Sequence, residues 1–386
     1  MSDPKSEDLA MRYKKPLNPF PTSGYYGPAY FCDRVKETQQ ITQFLQNGQS
    51  CLLMGIRRLG KTALIQHVRH HLPSHWEFVY LDILATENEQ QLLNAIGTAL
   101  LQHFSEKEKI GKRVWEFVKT LRPIISFDQL SGIPQVSFQI AQAERPVIDI
   151  LTFLSQLEKP VVIAIDEFQQ IHAYPEKNTD AWLRAAIQQV QNVFFLFSGS
   201  QQSILNELFS NPSRPFYRSA SPIQLGKIDV SEYRKFIVSQ FAKHGKKLSA
   251  PLAEQILEWT KCHTYYVQLL CNRLYQLPMT EYAAEDWQTC AQQILKESET
   301  FFLHYRTLLS TQQWKLAVAI AKSGSVSAPT SKDFIGTYQL GSGATVLKSL
   351  HALLEKELIY KEYDAEGNPY YQVYDVFFER WIQGTY

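Results

Sequence analysis

Eight residues restrict the fold more than any others: Gly55-Ile56-Arg57-Arg58-Leu59-Gly60-Lys61-Thr62. They fit G-x-x-x-x-G-K-[ST], the P-loop pattern, in which a glycine-rich turn between a strand and a helix aims backbone N–H groups at an anion. The flanks suit that geometry. Ser50-Cys51-Leu52-Leu53-Met54 reads as a short buried strand, and Thr62-Ala63-Leu64-Ile65-Gln66-His67-Val68 reads as a helix start. The glycines admit close approach and unusual backbone angles. In this pattern Lys61 reaches the β- and γ-phosphates of a nucleotide and the Thr62 hydroxyl binds Mg²⁺.

Such a turn needs further strands beside it, and 386 residues leave room for two or three domains with sizeable cores. The chain is 45% hydrophobic and 20% charged, as globular proteins are, and its net charge of +1 gives no overall pull toward nucleic acid or membrane. The cysteines (Cys32, Cys51, Cys262, Cys271 and Cys290) are scattered and include no C-x-x-C, which points to a reducing compartment and no zinc module. No apolar run approaches about 18 residues, and residues 1–15 are polar, so no membrane span or signal peptide is expected. A cytoplasmic location follows by default.

The second decisive stretch is Pro160-Val161-Val162-Ile163-Ala164-Ile165-Asp166-Glu167-Phe168. A continuous apolar run is the mark of a strand buried on both faces of a parallel sheet. Such sheets carry their chemistry at the carboxyl ends of the strands, where Asp166 and Glu167 fall. Asp166 would hold Mg²⁺, directly or through water, and Glu167 would orient and deprotonate an attacking water. A further buried run, Asn192-Val193-Phe194-Phe195-Leu196-Phe197-Ser198-Gly199-Ser200, ends in small polar groups. Ser198 or Ser200 could touch the γ-phosphate or the attacking water. A last short strand, Ile223-Gln224-Leu225, follows Arg214-Pro215-Phe216-Tyr217-Arg218. No [NT]-K-x-D follows any strand, so ATP is favoured over a guanine nucleotide.

The remaining stretches supply the frame. Residues 1–17 are charged and aperiodic and are expected to be flexible. Asn18-Pro19-Phe20-Pro21 opens an extended segment, and Asp33 is the expected N-cap of a helix carrying Ile41, Phe44 and Leu45. This segment could lie near the adenine edge of a nucleotide or strap the sheet edge; nothing in it is base-specific, so the strap is preferred. Residues 78–83 read as a second strand, and Leu92, Leu93, Ile96, Leu100 and Leu101 mark a second helix. His67 and His71 could share a metal, with His70 and His75 nearby, but the Glu of H-E-x-x-H is missing and a packing or surface role is expected.

A basic piece (Lys107, Lys109, Lys112, Arg113, Lys119) precedes two strand-like runs, 124–127 and 135–140, with Gly132 between them. This reads as an inserted β-hairpin, either a recognition element or a structural flap. From Asp229 the pattern is helical, through Tyr233, Phe236, Ile237, Leu252, Ile256 and Leu257 to a run over 266–277, and forms a small lid. Residues 308–386 hold helices at 312–321, after Ser331 and at 343–354, two strand-like runs around the turn 365–369, and a last helix at 376–382. Three helices and a hairpin make a winged helix.

Asn18-Pro19-Phe20, Asp33-Arg34 with Glu37, the P-loop, Asp166-Glu167-Phe168, Ser198-Gly199-Ser200 and the winged helix make the chain resemble the archaeal-type ATPases of the STAND class. These are signal-transduction ATPases, a branch of the AAA+ superfamily, and the resemblance spans residues 18–381. It implies an α/β fold with a P-loop NTPase (AAA+-like) core of five parallel strands, then a helical lid and a C-terminal winged-helix domain docked on both. The expected borders are 18–227 for the core, with the hairpin inserted at about 105–145, 228–307 for the lid and 308–386 for the winged helix. It also implies an ATP-driven switch that uses Mg²⁺, with residues 55–62 on the nucleotide, Thr62 and Asp166 on the metal, and Glu167 and Ser200 at the reacting water. AAA+ proteins place an arginine finger toward a neighbouring subunit just before the last core strand, which makes Arg218 the first candidate and Arg214 the second.

Two departures stand out. The family's lid often carries Gly-x-Pro near the nucleotide, where this chain reads Cys262-His263-Thr264-Tyr265-Tyr266. STAND proteins are usually fused to repeats or an effector, and no repeat of about 20–50 residues is present. Two functions follow: an ATP-hydrolysing switch acting on an unidentified protein partner, with a homo-oligomer open, or a DNA-linked AAA+ ATPase reading duplex through its winged helix. From residue 308 onward seven basic residues face eight acidic ones, and the candidate recognition helix offers only Lys348, so DNA is not favoured.

Overall fold

In the computed structural model every residue of β5 (Val161–Asp166) is buried, as a strand covered on both faces requires. The structure describes residues 15–104, 108–127, 134–138, 143–364 and 366–386. The flexible stretch expected over 1–17 lies outside these residues as far as Lys14, as do Lys107, Gly132 and Ala365. The chain divides into two compact units, one holding Ser23–Lys227 and the other Ile228–Tyr386 together with Lys15–Thr22.

The first unit is α/β. Its elements are α1 (Val35–Gln46), β1 (Cys51–Met54), α2 (Lys61–His71), β2 (Glu77–Asp82), α3 (Glu89–Phe104), α4 (Glu108–Thr120), β3 (Pro123–Phe127), β4 (Pro134–Phe138) and α5 (Glu144–Ser155). After β5 come α6 (Thr179–Gln189), β6 (Val193–Gly199), α7 (Gln202–Ser210) and β7 (Ser221–Gln224). Five strands form one sheet in the order β2-β5-β6-β1-β7, and every neighbouring pair is parallel. The carboxyl ends of β1, β2, β5 and β6 therefore lie along one edge, where open parallel sheets place their ligands. Leu52, Val79, Ile163 and Phe195 from the strands join Leu93, Val147 and Leu183 from the helices in the core.

The hairpin forms over its described residues, with Ile124 opposite Ser137 and Ile125 opposite Val136. It is seated on α3. Val136 N donates to Thr98 Oγ1 and Phe138 N to Asn94 Oδ1, both at 2.9 Å. A Cβ on Gly97 would come within 2.7 Å of the Phe138 ring, so α3 needs a glycine where that ring lands.

Two expectations for the N-terminal segment change. The residue preceding α1 is Arg34, in the left-handed region at φ 66° and with no side-chain cap, while Asp33 is also left-handed at φ 54°. Arg34 turns its guanidinium to Glu37 at 2.9 Å instead. Residues 15–22 group with the second unit rather than with the core. There Phe20 is wholly buried against Phe241, with ring centroids 5.0 Å apart, and Asn272 Nδ2 donates to the Phe20 carbonyl at 2.8 Å.

The second unit holds α8 (Val230–Lys243), α9 (Ala250–Trp259), α10 (Thr264–Gln276), α11 (Ala284–Leu308), α12 (Thr311–Ser323), α13 (Lys332–Tyr338), α14 (Gly343–Glu355), the antiparallel pair β8 (Ile359–Tyr363) and β9 (Pro369–Val373), and α15 (Val376–Thr385). Helices α12 to α15 start at Ser310, Ser331, Ser342 and Asp375, whose side chains accept the first free N–H groups. Helices α8 to α11 fall in one unit with the winged helix, and α15 packs among them. Phe377 packs on Trp259 and Tyr266, and Lys261, in the turn between α9 and α10, donates to the wholly buried Glu379 carboxylate at 2.6 Å. Among the described residues no helix is long and apolar enough to cross a membrane.

Candidate nucleotide-binding site

The loop between β1 and α2 has the shape that its glycines allow. Gly60 stands at φ 98°, a conformation that side chains resist, and is the residue preceding α2. Gly55 is needed for a different reason: a Cβ there would meet the Leu225 carbonyl oxygen at 2.9 Å, where the chain leaves β7. Lys61 is 6% exposed and its Nζ donates to the carbonyls of Gly55 and Ile56 at 2.9 and 3.1 Å. The ammonium is thus held over the mouth of its own loop.

The two decisive stretches of the sequence meet at one point. Thr62 Oγ1 donates to Asp166 Oδ2 at 2.6 Å, and Tyr80 OH donates to the same oxygen at 3.2 Å. Glu167 N donates to Asp166 Oδ1 at 3.1 Å, and Glu167 itself is left-handed at φ 55°, a strained conformation of the kind found at functional sites. Phe168, wholly buried, anchors this turn in a ring cluster with Phe197 at 4.5 Å and Phe216 at 5.2 Å. Just past the end of β6, Ser200 Oγ donates to Glu167 Oε2 at 2.9 Å, and Arg57 Nε lies 3.4 Å from Ser200 Oγ.

Register brings in a third carboxylate. Asp82, the last residue of β2, pairs with Asp166. Burial first, and then the charges of Asp166 and Glu167, push the Asp82 carboxyl above its usual range, against the pull of the Leu84 N–H. Burial, followed by Asp166 and Asp82, also pushes the Tyr80 phenol up. A hydroxyl and clustered carboxylates are hard oxygen donors, the set that suits Mg²⁺. Mg²⁺ is commonly held by only one or two protein oxygens plus phosphates, so Thr62 and Asp166 could hold it without a full protein cage.

The model of an ATPase domain found predominantly in Archaea matches residues 31–270. The chain belongs to that family. A probable winged helix domain matches residues 300–384 of this ATPase-family chain. No curated protein matches it. Among solved structures it is similar to the Walker-type ATPase PABY2304 of Pyrococcus abyssi, at 15% identity over 95% of this chain and 99% of that one, with a TM-score of 0.68. It is also similar to the ORC2 protein of Aeropyrum pernix in ADPNP–ADP complexes, at 12% identity over 95% and 97% of the two chains, with a TM-score of 0.60. The ORC1 protein of Aeropyrum pernix in complex with DNA gives 11% identity over 96% and 97%, with a TM-score of 0.51. At these identities the likeness shows the fold alone.

The arginine candidates lie elsewhere. Arg218 lines a cleft of about 1050 Å³ with Ser50, Asn192 and Ser221, at the N-terminal ends of β1, β6 and β7. That is the opposite end of the sheet from the P-loop, so within one chain Arg218 does not join the loop. Its guanidinium lies 5.3 Å from the Tyr217 ring centre. Arg214 is paired locally, with Glu207 at 3.0 Å and Asp180 at 3.7 Å. Ser198 Oγ is buried and meets no partner among the described residues, so of the two serines it is Ser200 that reaches Glu167.

The histidines of α2 pack. His67 accepts or donates to Tyr25 OH at 2.8 Å and stacks on Phe31 at 4.1 Å. Burial, then His71 and His70, lowers His67 to about 3, so it is neutral at ordinary pH. Tyr25 and Phe31 thus pack on α2 through His67. Sequence reasoning missed Tyr80, Asp82 and Gln169, whose Nε2 donates to Glu167 Oε2 at 2.5 Å. Asp82 carried the same signal as Asp166, a carboxylate closing a strand, while nothing in the sequence marked the other two.

Proposed function

We propose that this ATPase-family protein binds ATP with Mg²⁺ and hydrolyses it slowly, as a molecular switch of the STAND type that acts on a protein partner. The hydrogen bond from Thr62 to Asp166 carries this reading, because it unites the phosphate loop and the strand-end acid at one spot beside Glu167. In the proposal residues 55–62 cradle the phosphates, with Lys61 turning from its own loop carbonyls to the β- and γ-phosphates. Thr62 and Asp166 hold Mg²⁺, which would neutralise the charge developing on the phosphate oxygens. Glu167 takes the proton of the attacking water, and Ser200 steadies the Glu167 carboxylate. Nucleotide state would then set the state of the lid and winged helix and so the access of a partner.

A role for Arg218 requires a second copy, since its own loop is at the far end of the sheet. Arg218→Ala is expected to lower turnover by about 10³–10⁵-fold, with wild-type turnover per molecule rising with protein concentration. Turnover that ignores concentration and is unaffected in Arg218→Ala would remove the finger.

The alternative, a DNA-linked ATPase, has the winged helix and the fold likeness to ORC1 in its favour. Charge argues against it. Lys348 is the one lysine or arginine on α14, and Glu362, Asp364 and Glu366 crowd the wing. Two further cations are engaged inside the unit: Lys322 on the Tyr386 carbonyl and Arg380 on the Trp259 carbonyl. Duplex binding commonly draws on ~6–10 phosphate contacts, and with Lys322 and Arg380 engaged the remaining basic residues of 308–386 are Lys315, Lys332, Lys348, Lys356 and Lys361. A labelled duplex is therefore expected not to bind at physiological salt and not to alter turnover. Binding that weakens steeply with salt and is lost in Lys348→Glu would promote the DNA reading.

A further inference from the structure

Two donors reach Glu167, and both land on one oxygen. Gln169 Nε2 donates to Oε2 at 2.5 Å and Ser200 Oγ donates to it at 2.9 Å. Among the described residues no donor reaches Oε1. The carboxylate is thus held by one oxygen and open at the other.

Gln169 is built for this contact. It is 4% exposed and sits in the 3-10 turn Phe168–Ala173, directly behind the Phe168 anchor. Its Oε1 is buried and meets no donor among the described residues. A buried carbonyl without a donor is unfavourable, so the amide keeps that orientation for the sake of the N–H on Glu167. The space it fills has been cleared on β6: a Cβ on Gly199 would come within 2.0 Å of Gln169 Oε1. Gly199 has no left-handed backbone angle to explain it. Its lack of a side chain answers to the Gln169 amide and to Leu205, whose Cδ1 would lie 3.0 Å from that Cβ.

We propose that Gln169 is a positioning residue for Glu167, clamping Oε2 toward Ser200 and leaving Oε1 to receive the proton of the attacking water. The proposal rests on the reading of Glu167 as the base. In that step the water oxygen bonds the γ-phosphorus, the bond from that phosphorus to the bridging oxygen of ADP breaks, and the water proton goes to Oε1. An undamped carboxylate rotates, and misplacement of a reacting group by about 1 Å can cost about a hundredfold in rate. Ser200 alone cannot fix the plane of the carboxylate, because a single hydrogen bond leaves it free to turn about that contact.

Gln169→Met keeps the length of the side chain and removes the donor. It is expected to lower kcat by about tenfold to a hundredfold, with the KM and Kd for ATP moving less than about threefold. Gln169→Glu, the same shape with a repelling charge, is expected to lower kcat further. Gly199→Ala, which displaces the amide without touching residue 169, is expected to reproduce the kcat loss. In a Glu167→Gln background Gln169→Met is expected to change the residual turnover no further, because the two residues act through one group. Wild-type kcat in both Gln169→Met and Gln169→Glu overturns the clamp, as does a full additive loss in the Glu167→Gln background. The underlying reading fails separately: if Glu167→Gln itself turns over ATP at the wild-type rate, Glu167 is not the base, whatever Gln169 does.

Discussion

Lys61→Ala is expected to abolish tight ATP binding. The ammonium is 6% exposed and held at 2.9 and 3.1 Å from two carbonyls of its own loop, so it is already poised at the mouth of the cradle. Charge-assisted hydrogen bonds contribute about 1.5–3 kcal/mol each. Two of them, one to each of the β- and γ-phosphates, correspond to about two to four decades in Kd. Calorimetric titration with ATP reads this directly, and a melting curve of the free protein shows that the chain still folds. A Kd within a few-fold of wild type would mean that the loop does not hold phosphate through Lys61.

Glu167→Gln is expected to separate binding from chemistry. The amide is the same size, can still accept from Gln169 and Ser200, and leaves Asp166, Thr62 and Lys61 in place. What it loses is the capacity to take a proton from water, a contribution of about 10²–10⁴-fold. Nucleotide recovered from the protein after incubation should therefore be ATP in the variant and ADP in wild type. Wild-type turnover in Glu167→Gln ends the assignment of the base. A variant that holds ATP also serves as bait for the partner, since it dwells in the loaded state.

Much of the first unit is legible along the chain because the signals are local. Gly55 to Thr62 specify a turn through their own backbone freedom, and the unbroken apolar run of β5 announces a strand covered on both faces. The helices of the winged helix carry their caps within four residues, as Ser310 does with Gln313. The N-cap expected at Asp33 does not form: Arg34 is the residue before α1, and Asp33 and Arg34 both stand in the left-handed region.

The sequence by itself determined the element types, the glycine-rich turn of residues 55–62 and the strand-end positions of Asp166 and Glu167. Backbone propensity and hydrophobic period are properties of neighbours in the chain. Only the tertiary structure decided that Asp82 stands beside Asp166, because the order β2-β5-β6-β1-β7 sets strand neighbours far apart in sequence. Only it moved residues 15–22 out of the core and onto Phe241, and sent Arg218 to the far end of the sheet. Gln169 belongs to the same class. Its role comes from the turn after Glu167 meeting a strand-end glycine 30 residues later, and no local pattern records which distant atom a buried amide will face.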